Sequence, residues 1–168
     1  MESTLTASVK IKTKHMYSFL LHFCYSSIKD WFGVFLSIIA LVVLVVRFEQ
    51  LDDMGKIILL LIGLLFTIIN PVMLYFKAQK QIVLNPIFKN EIVYQFNEEG
   101  IEVCQGETTA AVTWEQIFKV IVTRKLLLIY TSKIHASILP LDQIEQEKIL
   151  SNIEKHVPKE KRKAKQWS

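Results

Sequence analysis

The sequence predicts a membrane α-helical hairpin joined to an α+β cytosolic domain, and three observations predict it. Ile57–Phe76 contains no ionisable side chain. Trp31–Val46 is a second uncharged apolar run. From residue 92 the texture changes to short alternating segments punctuated by turn residues, and an amphipathic helical pattern follows.

At about 1.5 Å per residue, Ile57–Phe76 covers about 30 Å, the thickness of a bilayer hydrocarbon core. Its Leu, Ile, Val and Phe residues each favour insertion by about 0.3–0.6 kcal/mol and together outweigh Gly63, Thr67, Asn70 and Pro71. This is the predicted second transmembrane helix, 57–76. Trp31–Val46 is slightly short for a span, but Trp31 suits the interface, Arg47 can snorkel and Phe48 extends the apolar face, which places the first transmembrane helix at 31–48. Residues 49–56 then form a short extracytoplasmic loop, so the two helices run antiparallel. Lys10, Lys12, Lys14 and Lys29 precede the first helix and Lys77, Lys80 and Lys89 follow the second, whereas the connection has only Arg47 and Lys56. That bias puts both termini in the cytosol and the chain in the cell membrane as a multi-pass protein.

Small or polar residues recur at helical spacing on each apolar segment, Gly33, Ser37 and Ala40 on the first and Gly63, Thr67 and Asn70 on the second. Lipid supplies no hydrophobic drive for helix association, so close backbone approach at small residues is the expected seam. Antiparallel pairing about a turn near residue 52 sets Gly33 against Asn70, Ser37 against Thr67 and Ala40 against Gly63.

Before the first span, residues 1–14 contain a strand, because Leu5, Ala7, Val9 and Ile11 alternate with Thr6, Ser8, Lys10 and Lys12. Residues 15–30 carry Met16, Phe19, Leu20 and Phe23 at helical spacing and read as an amphipathic interfacial helix. After the second span the helical pattern persists to Leu84 and stops at Asn85-Pro86. Six strands follow. Ile92–Phe96, Ile101–Gln105 and Thr108–Thr113 are separated by the turns Asn97–Gly100 and Gly106-Glu107, then Phe118–Thr123 and Leu126–Thr131 flank Arg124-Lys125, and Ala136–Leu139 ends at Pro140. Ile144, Ile149, Leu150 and Ile153 define a C-terminal helix with Asp142 as a candidate cap. With the N-terminal strand the count is about seven, and seven antiparallel strands closed by one helix make a pleckstrin-homology-like barrel in which the membrane hairpin is an insertion after the first strand. The domain is bounded at 77–157, with a basic tail at 158–168.

These segments resemble the YcxB-like family, small bacterial membrane proteins with two spans and a C-terminal domain. The likeness is carried by Tyr94–Ile101 (YQFNEEGI), Thr113–Val120 (TWEQIFKV), Leu128–Tyr130 (LIY) and Ile138–Pro140 (ILP), and covers nearly the whole chain if the spans are included. Family members often carry a basic residue after that proline, where this chain has Leu141. The resemblance implies the architecture and no particular activity.

The chain of 168 residues has a net charge of +4 and two cysteines, Cys24 and Cys104, far apart and outside any disulfide or zinc pattern. Lipid headgroups account for the basic balance, and nucleic acid is not expected as a partner. His15, His22, His135 and His156 lack ligand spacing, no P-loop, dinucleotide fingerprint or nucleophile elbow occurs, and Glu98-Glu99 reads as a solvated turn. Trp114 reads as an aromatic that orders a turn. No enzyme, cofactor or metal is therefore expected. The expected role is a non-enzymatic interaction or scaffold module held at the lipid bilayer, with a protein partner or self-association. The runner-up is a sensor that binds anionic lipid through Lys155, Lys159, Lys161, Arg162, Lys163 and Lys165. A small oligomeric transporter or channel component is a third reading, disfavoured because Asn70 is the one conspicuous polar group inside the spans.

Overall fold

The computed structural model describes residues 4–26, 28–106 and 108–164. They fall into two compact units, one formed by the chain up to Met16 and from Gln81 onward, the other by Tyr17–Lys80.

The first unit is α+β. Alternation makes Leu5–Val9 a strand, β1, whose Ala7 and Val9 are buried while Thr6 and Ser8 are exposed. It pairs antiparallel with β2 (Ile92–Phe96) in the register Leu5 to Phe96 and Val9 to Ile92. β3 (Gly100–Gln105) and β4 (Thr108–Thr113) complete a sheet of order β1-β2-β3-β4. The second sheet contains β5 (Lys119–Val122), β6 (Leu126–Tyr130), β7 (Ala136–Pro140) and β8 (Arg162–Ala164), in the order β7-β6-β5-β8. Register places Leu5, Ala7, Val9, Ile92, Tyr94, Phe96 and Ile101 on one face of the first sheet, and Val120, Val122, Leu127, Ile129 and Leu139 on one face of the second. Apart from Leu5, which is half-buried, all of these are buried, and Ile149, Ile153 and Val157 from the C-terminal helix region join them. Tyr94 carries a polar tip into this core, where its hydroxyl bonds Ser137, and burial pushes its pKa up to about 12. All five residues of β6 are buried, as a continuous apolar run allows and an alternating strand does not.

The expected closed barrel of seven strands is therefore corrected to two four-stranded sheets. The additional strand comes from the tail. Its Arg-Lys-Ala sequence has no apolar alternation, but β5 offers an unpaired edge, and β8 fills it in parallel, Val120 opposite Arg162 and Val122 opposite Ala164.

The turns follow from local chemistry. Asn97 turns β2 into β3, its side-chain oxygen accepting the backbone N–H groups of Glu99 and Gly100 at 3.0 and 2.8 Å. Gly100 is required because a Cβ there would lie 2.8 Å from Thr113 Cα and 2.9 Å from the Val112 carbonyl carbon. Asp142 does not cap the last helix as anticipated. That helix spans Gln146–His156 and starts after Glu145. Asp142 lies in the preceding 3-10 turn and pairs instead with Lys14 Nζ at 2.7 Å and His15 Nε2 at 3.4 Å. The adjacent Gln143 accepts from the Lys10 N–H at 2.7 Å and donates to the Lys10 carbonyl at 3.1 Å, so the segment after β1 is tied to the corner after β7.

The second unit is helical. Residues 13–24 form α1 (Thr13–Cys24), which begins in the first unit, and α2 follows (Ile28–Val46). A short turn leads to α3 (Asp53–Leu64), whose first turn is capped by Asp52 accepting the Gly55 N–H at 3.1 Å. A π-helical turn, Leu65–Ile69, joins α3 to α4 (Asn70–Leu84), so the predicted 57–76 segment is part of one helix of 32 residues, Asp53–Leu84. By length and composition this helix is able to cross a membrane, while Trp31–Val46 is a shorter apolar helix. The C-terminal helix Gln146–His156 of the first unit is α5.

Two outcomes test this account. Gly100→Ala should cost about 1–3 kcal/mol in thermal unfolding, because the new methyl group meets backbone and has no side chain to displace; an unchanged melting temperature would contradict it. His15 is 3% exposed, and burial is the main reason its pKa is held below the ordinary 6.5. The folded state then binds this proton less readily than the unfolded one, so stability falls as pH drops through 6.5. Asp142, held low chiefly by the Lys14 hydrogen bond, adds to the loss further down, below 3.8. His15→Gln should flatten the first decline in melts recorded across that pH range.

Candidate helix seam and basic edge

The helical unit is built around a proline. Pro71 lies in the first turn of α4 and lacks the N–H that a preceding carbonyl needs. In the π turn each N–H reaches back five residues, and Asn70 N–H bonds the Leu65 carbonyl accordingly. The next carbonyl, that of Phe66, would take its bond from residue 71, which is proline. The Tyr25 hydroxyl supplies the missing donor, lying 3.2 Å from the Phe66 oxygen. Asn70 Nδ2 in turn donates to the same hydroxyl at 3.0 Å, so carboxamide, hydroxyl and carbonyl form one continuous relay.

Other polar groups of this unit are also absorbed by backbone. Ser37 is fully buried, and its hydroxyl donates to the Ile62 carbonyl at 2.8 Å. Thr67 bonds back to the Gly63 carbonyl at 2.6 Å. Trp31 Nε1 donates to the Tyr25 carbonyl at 3.2 Å, which ties the start of α2 to the strap that carries Tyr25. Tyr17 on α1 meets the Tyr75 ring edge-on at 5.6 Å.

Of the six proposed seam residues, Ser37, Ala40 and Gly63 are buried, and Gly33, Thr67 and Asn70 are half-buried. At Gly33 and Ser37 the contacts differ from the expected pairs, while at Gly63 the contact falls one residue from Ala40. A Cβ on Gly33 would lie 2.7 Å from the Phe66 ring, so Gly33 leaves room for that ring where Asn70 was expected. Gly63 makes room for Leu41 in the same way, and Ser37 reaches Ile62. Asn70 bonds Tyr25, a residue outside both apolar helices. The expected pairing assumes equal steps along two ideal helices, and the π turn at Leu65–Ile69 departs from that ideal.

The proposed lipid-contact residues are spread over several elements. Lys155 is exposed on α5, and Lys159 and Lys161 lie in a 3-10 turn after it. Lys161 Nζ donates to the Glu115 carbonyl at 3.3 Å, Arg162 pairs with Glu154 at 3.0 Å, and Lys163 is exposed on β8. Lys165 lies outside the described residues. Trp114 is 7% exposed, donates through Nε1 to the Asn97 carbonyl at 3.1 Å and stacks on His156 with ring centroids 4.7 Å apart. His156 faces Glu98 at 3.0 Å through Nε2 and the Asn152 carbonyl at 2.9 Å through Nδ1. Glu98 is thus engaged by α5. This stack escapes sequence reading because Trp114 and His156 share no local periodicity.

Trp114, the Asn97 turn and the strands around them lie in the part of the chain that carries the resemblance, and His156 lies just beyond it. Residues 96–153 match the family model of YcxB-like proteins. The YcxB-like stretch runs from the end of β2 into α5, so it includes Trp114 and Asp142 and leaves out β1, the helical unit and β8. No curated protein and no solved structure gives a match.

If the Tyr25 hydroxyl serves the carbonyl that Pro71 leaves unbonded, the two residues are energetically coupled. Tyr25→Phe should cost about 1 kcal/mol in the wild-type background and markedly less in Pro71→Ala, measured by thermal unfolding in detergent micelles. Equal costs in both backgrounds would show that the bond has no link to the proline.

Proposed function

We propose that this chain is a non-enzymatic membrane protein anchored by two spans, α2 and the α3–α4 helix, with both termini in the cytosol. The first unit is then a cytosolic pleckstrin-homology-like module that acts as an interaction or scaffold surface for a protein partner or a second copy.

The observation that carries this reading is the exposure of the apolar helices. In the most apolar window of Asp53–Leu84 only 11% of residues are buried. Phe32, Phe35, Val45, Met73 and Phe76 are each more than half exposed. A core helix of a water-soluble domain buries such surface, whereas hydrocarbon is the medium in which it costs nothing. The 19 residues of α2 extend about 28 Å, enough to reach across with Phe48 and Arg47 at the far interface. The order of four strands, three strands and a helix before β8 supports the pleckstrin-homology-like assignment. Titratable groups of this unit are spent on structural ties, His15 on Asp142 and His156 on Glu98, which favours a binding module over a catalyst. The basic-tail reading draws less support, since Arg162 and Lys161 are engaged within the unit.

Cysteine accessibility tests the topology. In a Cys24→Ser, Cys104→Ser background, Glu49→Cys should react with a membrane-impermeant maleimide applied to intact cells, and Glu99→Cys only after permeabilisation. Release of the chain from membranes by alkaline carbonate, or equal labelling at both positions, would refute the two-span arrangement.

A further inference from the structure

One end of the cytosolic unit carries a charge imbalance that its own carboxylates do not relieve. The β5–β6 turn exposes Arg124 and Lys125. The Lys125 carbonyl accepts the Leu141 N–H at 3.0 Å, and two residues further on Gln143 holds Lys10 through both backbone groups. Lys125 and Lys10 are therefore fixed on one corner, with exposed Lys12 just beyond. Lys89 is exposed shortly before Ile92, which pairs with Val9 next to Lys10. None of these five cations forms an ion pair among the described residues.

The carboxylates of the same end offset these cations only in part. Asp142 holds Lys14 and faces His15, and Glu145 pairs with Lys148 at 2.6 Å. Glu91, which accepts from the neutral Ser8 hydroxyl at 2.8 Å, keeps its charge, as does Glu147 on the first turn of α5. The surface thus carries net positive charge, five cations against the two unpaired carboxylates Glu91 and Glu147.

We infer that Lys10, Lys12, Lys89, Arg124 and Lys125 form a docking surface for the anionic headgroups of a bilayer. The inference rests on the membrane-anchored reading. The chain leaves this unit at Met16, one turn of helix after Lys12, and returns at Gln81, shortly before Lys89. An anchored chain holds these cations at high effective concentration near a leaflet, so even individually weak headgroup contacts are populated. Nucleic acid is the other polyanion such a surface could meet, but nothing tethers it there.

The test uses the full chain reconstituted in nanodiscs of phosphatidylcholine, with or without phosphatidylglycerol, and a headgroup-attached nitroxide lipid as quencher. A bimane label is placed at Asn90→Cys, or at Glu99→Cys in the β2–β3 turn as a control, in the Cys24→Ser, Cys104→Ser background. The label at residue 90 should be quenched more strongly when phosphatidylglycerol is present. That increment should disappear with Arg124→Glu and Lys125→Glu together and shrink in high salt, while the control stays unquenched. Unchanged melting of the double variant separates lost docking from lost folding, since both side chains are exposed turn positions. Quenching independent of phosphatidylglycerol, or equal at residues 90 and 99, overturns the inference while leaving the anchor intact. Co-purified RNA that is lost on charge reversal, without lipid-dependent quenching, assigns the surface to nucleic acid and overturns it also. A chain that fails to enter discs of either composition removes the anchored reading itself, and the inference with it.

Discussion

The pairing of β1 with β2 governs how the rest of the chain is arranged. Val9 and Ile92 are neighbours in the sheet although the whole helical unit lies between them in sequence. Closing so long a loop has an entropic cost that grows only slowly with length, but it must be recovered from contacts made when the strands meet. Burial of Ala7, Val9, Ile92, Tyr94 and Phe96 supplies part of that recovery, and the Lys10–Gln143 and Lys14–Asp142 ties supply another part. The inserted segment also lowers the cost by folding back on itself, since a helical hairpin returns its ends to neighbouring points.

Within the hairpin the governing constraint is one absent N–H. Proline inside a helix normally leaves a carbonyl without its partner. Here the helix widens to a π turn before Pro71, and the Tyr25 hydroxyl takes the orphaned Phe66 oxygen. A long-range contact thereby repairs a local defect. The defect and its repair together fix where the strap between α1 and α2 must lie, which an uninterrupted helix would leave undetermined.

Periodicity made much of the secondary structure legible and left the pairing of elements obscure. Alternation at Leu5–Val9 and helical spacing at Ile149 and Ile153 are local properties, set by which face a side chain must bury. The division into two sheets is not local, because it depends on which strand edges meet. β8 shows the difference most clearly: Arg162-Lys163-Ala164 carries no strand signal of its own and becomes a strand only because the β5 edge is vacant. The seam behaves likewise. Helical spacing picks out Gly33 and Gly63 as small, yet cannot say that Phe66 and Leu41 occupy the spaces they leave, because that depends on the register in which two curved surfaces fit. From its position alone Asp142 suits a helix cap, but Lys14 and His15, far away in sequence, claim it instead.

The two units differ in emphasis in how they engage polar side chains. In the helical unit Ser37, Thr67, Tyr25 and Trp31 all donate into backbone carbonyls, so their polar hydrogens are satisfied inside the unit and outward-facing surface is left to Phe, Ile, Val and Leu. In the α+β unit polar side chains link separate segments at its surface, as Lys14 with Asp142, Glu91 with Ser8 and Arg162 with Glu154 do. Such ties define geometry, and the ion pairs among them take up carboxylates that would otherwise neutralise nearby lysines. Satisfying polar groups inward agrees with the hydrocarbon surroundings proposed for the helices, and the outward cations agree with the anionic surface proposed for the α+β unit.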